Sequence, residues 1–273
     1  MAAGVACFVG IDTSAKWLTL AGLPTLQIVF ARYAGHLALS ALAFLPRHGP
    51  GALRSRRPGL QLMRSAFLLG STLLNFAALA HLPITLTITI MFATPIVVTL
   101  LSVPLLGERV GPRRLAAVGV GFAGVLIAMR PWGVGFHPAA LLSVGALTCA
   151  SLYFLATRRL AGTESNATSQ LWSSGLATAV VAPFALSAWT WPETALGWAV
   201  LLGIGAFGVT GHSLVTVAHR FAGASVLAPV AYLQLPFATV VGIAVFATPP
   251  TPWTLAGGLV IVTSGLYIWR RER

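Results

Sequence analysis

Apolar residues in this chain come in long runs of roughly helix-spanning length, about 20 residues each, and the runs are punctuated by Pro, Gly or Arg. Neither the alternation of a half-buried strand nor the single apolar stripe of a surface helix governs them, so the pattern predicts helices that are apolar all round. Ten are predicted. The first five run Ala2 to Ala21, Pro24 to Leu45, Leu60 to Ala80, Pro83 to Leu106 and Arg113 to Met129. The second five run Pro138 to Thr157, Thr168 to Trp189, Thr194 to Ala218, Ala224 to Ala247 and Trp253 to Trp269.

Composition sharpens this to a membrane protein. Of 273 residues 57% are hydrophobic and only 8% charged, too few charges to coat a soluble globule of that size. A net charge of +12 in a soluble chain would suggest nucleic acid, so the placement of its 17 Lys and Arg residues decides the reading. Arg47, Arg54, Arg56, Arg57 and Arg64 surround the link between the second and third helices, and Arg109, Arg113 and Arg114 follow the fourth. Arg158 and Arg159 follow the sixth, Arg220 the eighth, and Arg270, Arg271 and Arg273 close the chain. If the helices alternate in direction, all of these share one side, which the positive-inside rule makes cytoplasmic together with both termini. The opposite loops carry Trp132, Trp189, Trp191 and Trp253, as expected of an interfacial aromatic belt. The arginines then anchor helix ends to lipid headgroups, and nucleic acid is not expected as a partner. The N-terminus has no basic n-region and holds Asp12 and Lys16 within its apolar stretch, so it reads as a mature helix and not as a signal peptide. Cys7 and Cys149 support neither a disulfide framework nor a metal cluster.

The two halves repeat. Pro95 precedes Pro236, Gly124 precedes Gly265 and Met91 precedes Tyr232 by one common spacing, while Gln27 and Gln170, and Ala80-His81 and Ala218-His219, match at slightly different ones. Each unit has five helices, an odd number, so the second enters the membrane from the opposite face: residues 1–130 and 131–273 form an inverted repeat. Pro95 and Pro236 are expected to break the fourth and ninth helices near their middles and to act as hinges. The runs Gly119 to Gly124 and Gly203 to Gly208 are expected to let helices approach closely.

From Leu82-Pro83 through Thr94-Pro95 to Leu106-Gly107-Glu108-Arg109, followed by Arg114 and the Gly-rich fifth helix, the chain resembles the repeated domain of the drug/metabolite transporter superfamily, in its EamA-like ten-helix branch. The resemblance covers essentially the whole chain. It implies ten helices in two inverted repeats, cytoplasmic termini, a bacterial-type inner membrane and no cofactor. The second copy departs from the pattern, since Pro249 stands where Glu108 would have its counterpart. Within the superfamily the first two helices, with Asp12, Lys16, Gln27 and Arg32, look like members that handle amino acids or metabolites such as S-adenosylmethionine and riboflavin. Export of amino acids, aromatic ones above all, is the expectation, with uptake of S-adenosylmethionine or riboflavin as the alternative.

Charges inside the bilayer are costly unless paired or hydrated, which makes the few present functional candidates. Asp12 and Arg32 fall at similar depths of neighbouring helices, and Lys16 lies one turn from Asp12, so a Lys-Asp-Arg network is expected, either as a solute contact or as a pin between the first two helices. An amino acid needs a donor, an acceptor and an apolar wall. Asn75 and His212 are candidate hydrogen-bonding groups, Trp17, Tyr153 and Tyr232 candidate walls, and Met91 an adaptable contact. Asp12 or His212 could couple transport to protons. His81 and His219 fall near helix ends, His48 and His137 in loops, and no zinc-type spacing occurs. Hydrolase and metalloprotease motifs are missing, and four of the five carboxylates lie in loops or at the terminus, which argues against an intramembrane enzyme. The sequence thus predicts a carrier, functional as a monomer, that moves a small molecule by rocking two repeats around one chamber.

Overall fold

The computed structural model describes residues 1–107, 111–133, 135–160, 162–221 and 228–271. Glu108, Arg109, Ala224, Glu272 and Arg273 lie outside the described residues, as do the side chains of Arg114, His219, Arg220 and Arg271. Among the described residues every regular element is helical. The first half contains α1 (Ala2–Leu20), α2 (Thr25–His48), α3 (Pro58–Leu79), α4 (Ile84–Met91), α5 (Thr94–Leu106) and α6 (Pro112–Met129). The second contains α7 (Ala140–Leu160), α8 (Asn166–Ser187), α9 (Ala195–Phe221), a 3-10 segment (Ala228–Leu233), α10 (Gln234–Phe246) and α11 (Pro252–Arg271). With α4 and α5 taken as one interrupted span, and the 3-10 segment and α10 as another, these are the ten predicted spans, displaced at their ends by only a few residues. The protein is an all-α multi-pass membrane protein.

The interruptions differ from the expected mid-helix kinks. In the fourth span the break falls at Phe92 and Ala93, and Pro95 sits in the first turn of α5. There its missing N–H leaves no gap in the ladder, because first-turn amides have no intrahelical partner. The carbonyl one turn back, that of Met91, accepts instead from the Thr94 hydroxyl at 2.6 Å. Pro236 likewise lies in the first turn of α10, directly after the 3-10 segment. Both prolines face outward from the bundle.

Helices pair across the halves with one symmetry. The α3·α7 contact corresponds to α1·α9 when the halves are exchanged, α3·α8 to α2·α9, and α5·α7 to α1·α10, while α2·α8, α4·α10 and α6·α11 map onto themselves. This is the pattern of two five-helix units related by a pseudo-two-fold axis. Small residues allow the closest of these approaches: a Cβ on Gly257 would stand 2.5 Å from the Gly124 carbonyl oxygen, and one on Gly205 2.7 Å from the Gly35 Cα. Gly121 and Gly124 on α6 and Gly205 and Gly208 on α9 pack as the sequence suggests, whereas Gly119 and Gly203 meet nothing.

The two ends of the bundle differ. One carries His48, Arg54, Arg56, Arg57, Arg158 and Arg159; the other carries the aromatic group Trp189, Trp191 and Trp198, with Trp191 stacked on Trp198 at 5.4 Å, and Trp253 beneath Arg130 at 4.5 Å. A clasp closes each end. At the basic end the Glu164 carboxylate accepts from the Ser55 hydroxyl at 2.6 Å and from the backbone N–H groups of Arg56 and Arg57 at 2.7 and 3.0 Å, joining the α7–α8 link to the α2–α3 link. At the aromatic end the buried Gln27 amide donates to the Thr190 carbonyl at 2.7 Å and accepts from its N–H at 2.9 Å, joining the start of α2 to the α8–α9 link. The pseudo-symmetry interchanges the segments that these clasps connect.

Candidate functional site: a polar seam along α3

A strongly apolar helix need not be apolar on every face. Along α3 the residues Gln61, Arg64, Ser65, Thr72 and Asn75 recur at helical spacing, so they form one polar stripe. The stripe faces inward, against α1, α2, α7 and α8. With lipid outside, each of its polar groups must find a partner within the protein.

Nearest the basic end, Arg64 is 6% exposed and uses its guanidinium almost completely. Its Nε donates to the Thr157 hydroxyl at 2.8 Å, Nη1 to the Ser173 hydroxyl at 2.7 Å and the Ser169 carbonyl at 3.2 Å, and Nη2 to the Tyr153 hydroxyl at 2.8 Å. All four partners belong to α7 and α8. Arg64 is therefore a bolt between the repeats and not, as the charge pattern suggested, one of the cations around the α2–α3 link.

Two turns further, Arg32 of α2 donates through Nη1 to the Thr72 hydroxyl and to Tyr33 Oη at 3.4 Å, with its guanidinium 4.8 Å from the Tyr33 ring centroid. Its Nε is buried without a hydrogen-bond partner. Beside it, Asn75 Nδ2 donates to Asp12 Oδ1 at 3.0 Å, and Asn75 Oδ1 is likewise buried and unpartnered. His36 of α2 meets Gln170 of α8 at 3.1 Å, and the His212 ring of α9 lies 5.9 Å from His36 and 5.0 Å from Phe8. Five helices thus carry Asp12, Arg32, Asn75, Tyr153 and His212 along this seam, Arg32 and Tyr153 buried and the other three partly so, all of them candidates from the sequence.

Other candidates lie elsewhere. Lys16 does not join a network with Asp12 and Arg32. Its ammonium donates to the Leu79 and Leu82 carbonyls at 3.1 and 2.5 Å, and it stands 5.5 Å from the Phe246 ring centroid. The reason is the C-terminus of α3 and the link that follows it, whose free carbonyls at Leu79 and Leu82 offer a cation two acceptors beside the negative end of the helix dipole. Trp17 packs half-buried on the apolar core beside it. Tyr232 lies at the interrupted ninth span, edge-on to Phe92 at 5.3 Å, and Met91 ends α4 just before the break. Those two belong to the axial contact between the interrupted spans.

Sequence reasoning missed Arg64 as an interior residue, and with it Tyr33, His36, Thr72 and Gln170. The signal was the spacing of polar residues within α3, which mean apolarity conceals. Two clefts lie outside the seam: one of about 260 Å³ at the basic end, lined by His48, Arg54, Arg56 and Glu164, and an apolar one of about 480 Å³ between α1 and α9, lined by Cys7, Ser14, Gly203 and Phe207. Among the described residues no three His, Cys, Asp or Glu side chains gather as a metal site.

Two helical units around a polar seam give the all-α multi-pass fold, and the comparisons with known proteins supply the class, a transporter and not an enzyme. The EamA-like transporter family matches residues 1–130 and 137–270, and the chain belongs to that family. It is 30% identical to a riboflavin transporter of Brucella anthropi over 100% of this chain and 98% of that one. It is 28% identical to an S-adenosylmethionine uptake transporter of Rickettsia bellii over 96% of this chain and 89% of that one. A solved crystal structure shares the fold, with a TM-score of 0.64 at 21% identity over 99% of both chains.

Proposed function

We propose that this transporter carries riboflavin, or a flat heterocyclic metabolite much like it, by alternating access around the seam. The carrying observation is the buried group of Arg32, Asn75 and Asp12, which mixes unused donors and acceptors beside the aromatic rings of Tyr33 and Phe76. A neutral, planar, oxygen- and nitrogen-rich solute suits such a mixture. The full-length similarity to a protein named for riboflavin supports the same choice and moves amino-acid export, the first expectation from the sequence, to second place.

In this reading the repeats divide at residues 130 and 131, the breaks preceding Pro95 and Pro236 serve as hinges, and the clasps at the two ends open in turn. Asp12, Arg32, Asn75, Tyr153 and His212 contact or frame the solute. Tyr232 and Met91 reach it when the interrupted spans move. Lys16 and Trp17 hold the aromatic end. The basic end faces the cytoplasm of a bacterial-type inner membrane, both termini with it, and one chain suffices for transport. Proton coupling would pass through Asp12 or the His36–His212 pair. The test is uptake by proteoliposomes containing only this protein: saturable entry of riboflavin, read by its fluorescence, supports the reading, and impermeability to riboflavin in a folded preparation overturns it. Repeating the assay with an imposed pH gradient decides the coupling.

A second reading has its own observation. Arg32 and Asp12 set a guanidinium and a carboxyl on neighbouring helices, the two groups that the carboxylate and ammonium of an amino acid require. Labelled amino acids in the same assay separate the two.

A further inference from the structure

The seam holds two buried arginines in opposite states. Arg64 has acceptors for Nε, Nη1 and Nη2, whereas Arg32 spends hydrogen bonds from Nη1 alone and leaves Nε, at 8% residue exposure, without a partner. A buried donor left unmade is costly, and one at a charged group is costlier. The same holds for the unpaired Asn75 Oδ1 beside it. Thr72, which binds Arg32, and Asn75, which binds Asp12, stand three residues apart on α3, so one helix face anchors both residues that carry an orphan atom. One is a fixed donor and the other an acceptor, and the Asp12 carboxylate adds further acceptor capacity.

We infer that Arg32, Asn75 and Asp12 read a cyclic imide edge, the alternating carbonyl, N–H, carbonyl border of a flavin-like ring: Arg32 Nε donates to a ring carbonyl, and Asn75 Oδ1 or Asp12 accepts from the imide N–H. This rests on the riboflavin reading above and names the part of the solute that the seam recognises. A carboxylate solute would satisfy Arg32 but bring only acceptors to the unpartnered Asn75 Oδ1, while an isolated ammonium would satisfy the acceptors and leave Arg32 Nε orphaned. An imide serves both in one plane. Arg64, already saturated, positions Tyr153 and contacts no solute.

The discriminating probe is riboflavin carrying a methyl group on its imide nitrogen, which removes one donor and keeps the ring, the side chain and the neutral charge. With the purified full-length protein, displacement of riboflavin by this derivative is expected to be at least about tenfold weaker than self-displacement, since a site built for an N–H rejects its absence strongly. In the double variant Asn75→Leu/Asp12→Leu, checked for monodispersity in detergent, the discrimination is expected to shrink to within about twofold, because neither acceptor of the imide N–H remains. In Arg32→Met, riboflavin affinity falls but discrimination against the methylated derivative remains. Riboflavin bound without any discrimination against the derivative overturns the inference and leaves the substrate reading standing. No binding of riboflavin overturns both. Displacement of riboflavin by a neutral amino acid, abolished in both Arg32→Met and Asp12→Asn, would instead make this a zwitterion clamp and overturn the imide assignment.

Discussion

Arg64 and Arg32 are equally buried and two turns apart on the seam, yet only one of them is at rest. Arg64 is tied by its planar fork to four residues of the other repeat, and Arg32 is tied mainly to Thr72 and Tyr33 close by. A saturated buried charge holds structure together, whereas an under-used one is held in readiness for something the protein does not itself supply.

The largest effect separating the two is expected from Arg64→Met. Interhelical hydrogen bonds in membranes are worth about 0.6 to 1.7 kcal/mol each, so losing these four should remove roughly 2 to 7 kcal/mol and lower the thermal midpoint in detergent severely. Arg64→Lys should recover part of that loss, because the charge survives and the fork does not. Retention of the wild-type midpoint by Arg64→Met would end its role as a bolt. Arg32→Met should invert the outcome: a midpoint close to wild type, with riboflavin uptake reduced about tenfold or more. Equal destabilisation by the two methionine variants would erase the contrast.

The smallest effect is expected at Glu164, which is saturated like Arg64 but accessible to water. Partial burial pushes its carboxyl upward, but the Ser55 hydroxyl, the backbone N–H groups of Arg57 and Arg56 and the Arg56 charge outweigh that and hold its pKa below the ordinary value. A lowered pKa in the folded state contributes stability above the unfolded-state value, near pH 4.5, and that contribution disappears as pH falls through the folded value. The gap in thermal midpoint between wild type and Glu164→Gln should therefore be small and constant from neutral pH down to about pH 5, then close on further acidification. A gap that widens in acid would assign the clasp to another group.

The spans were legible because lipid imposes a length and a polarity on every crossing segment, and a few residues at each end are all that capping adjusts. The repeat was legible from Pro95 and Pro236, although those residues mark the breaks without lying in them. Arg64 was misread for a physical reason. It lies within ten residues of Arg54, Arg56 and Arg57, so a reading by local charge assigns it to the link, while the partners that draw it inward lie about 90 to 110 residues further along the chain. Lys16 fails similarly: proximity to Asp12 in sequence is no match for the carbonyls at the end of α3. Asn75, Asp12 and Arg32 stood out in the sequence because a polar residue deep in an apolar run is conspicuous on its own, and the structure joins Asn75 to Asp12.

That every ligand of Arg64 comes from residues 153–173 fixes an order of events during synthesis. When the ribosome has delivered α3 to the bilayer, its guanidinium has no acceptor there, and none arrives until α7 and α8 have been translated. The nascent first half must wait, its arginine sheltered by insertion machinery or drawn toward the headgroups, and a truncation that stops before residue 173 should leave an unstable product for quality-control proteases.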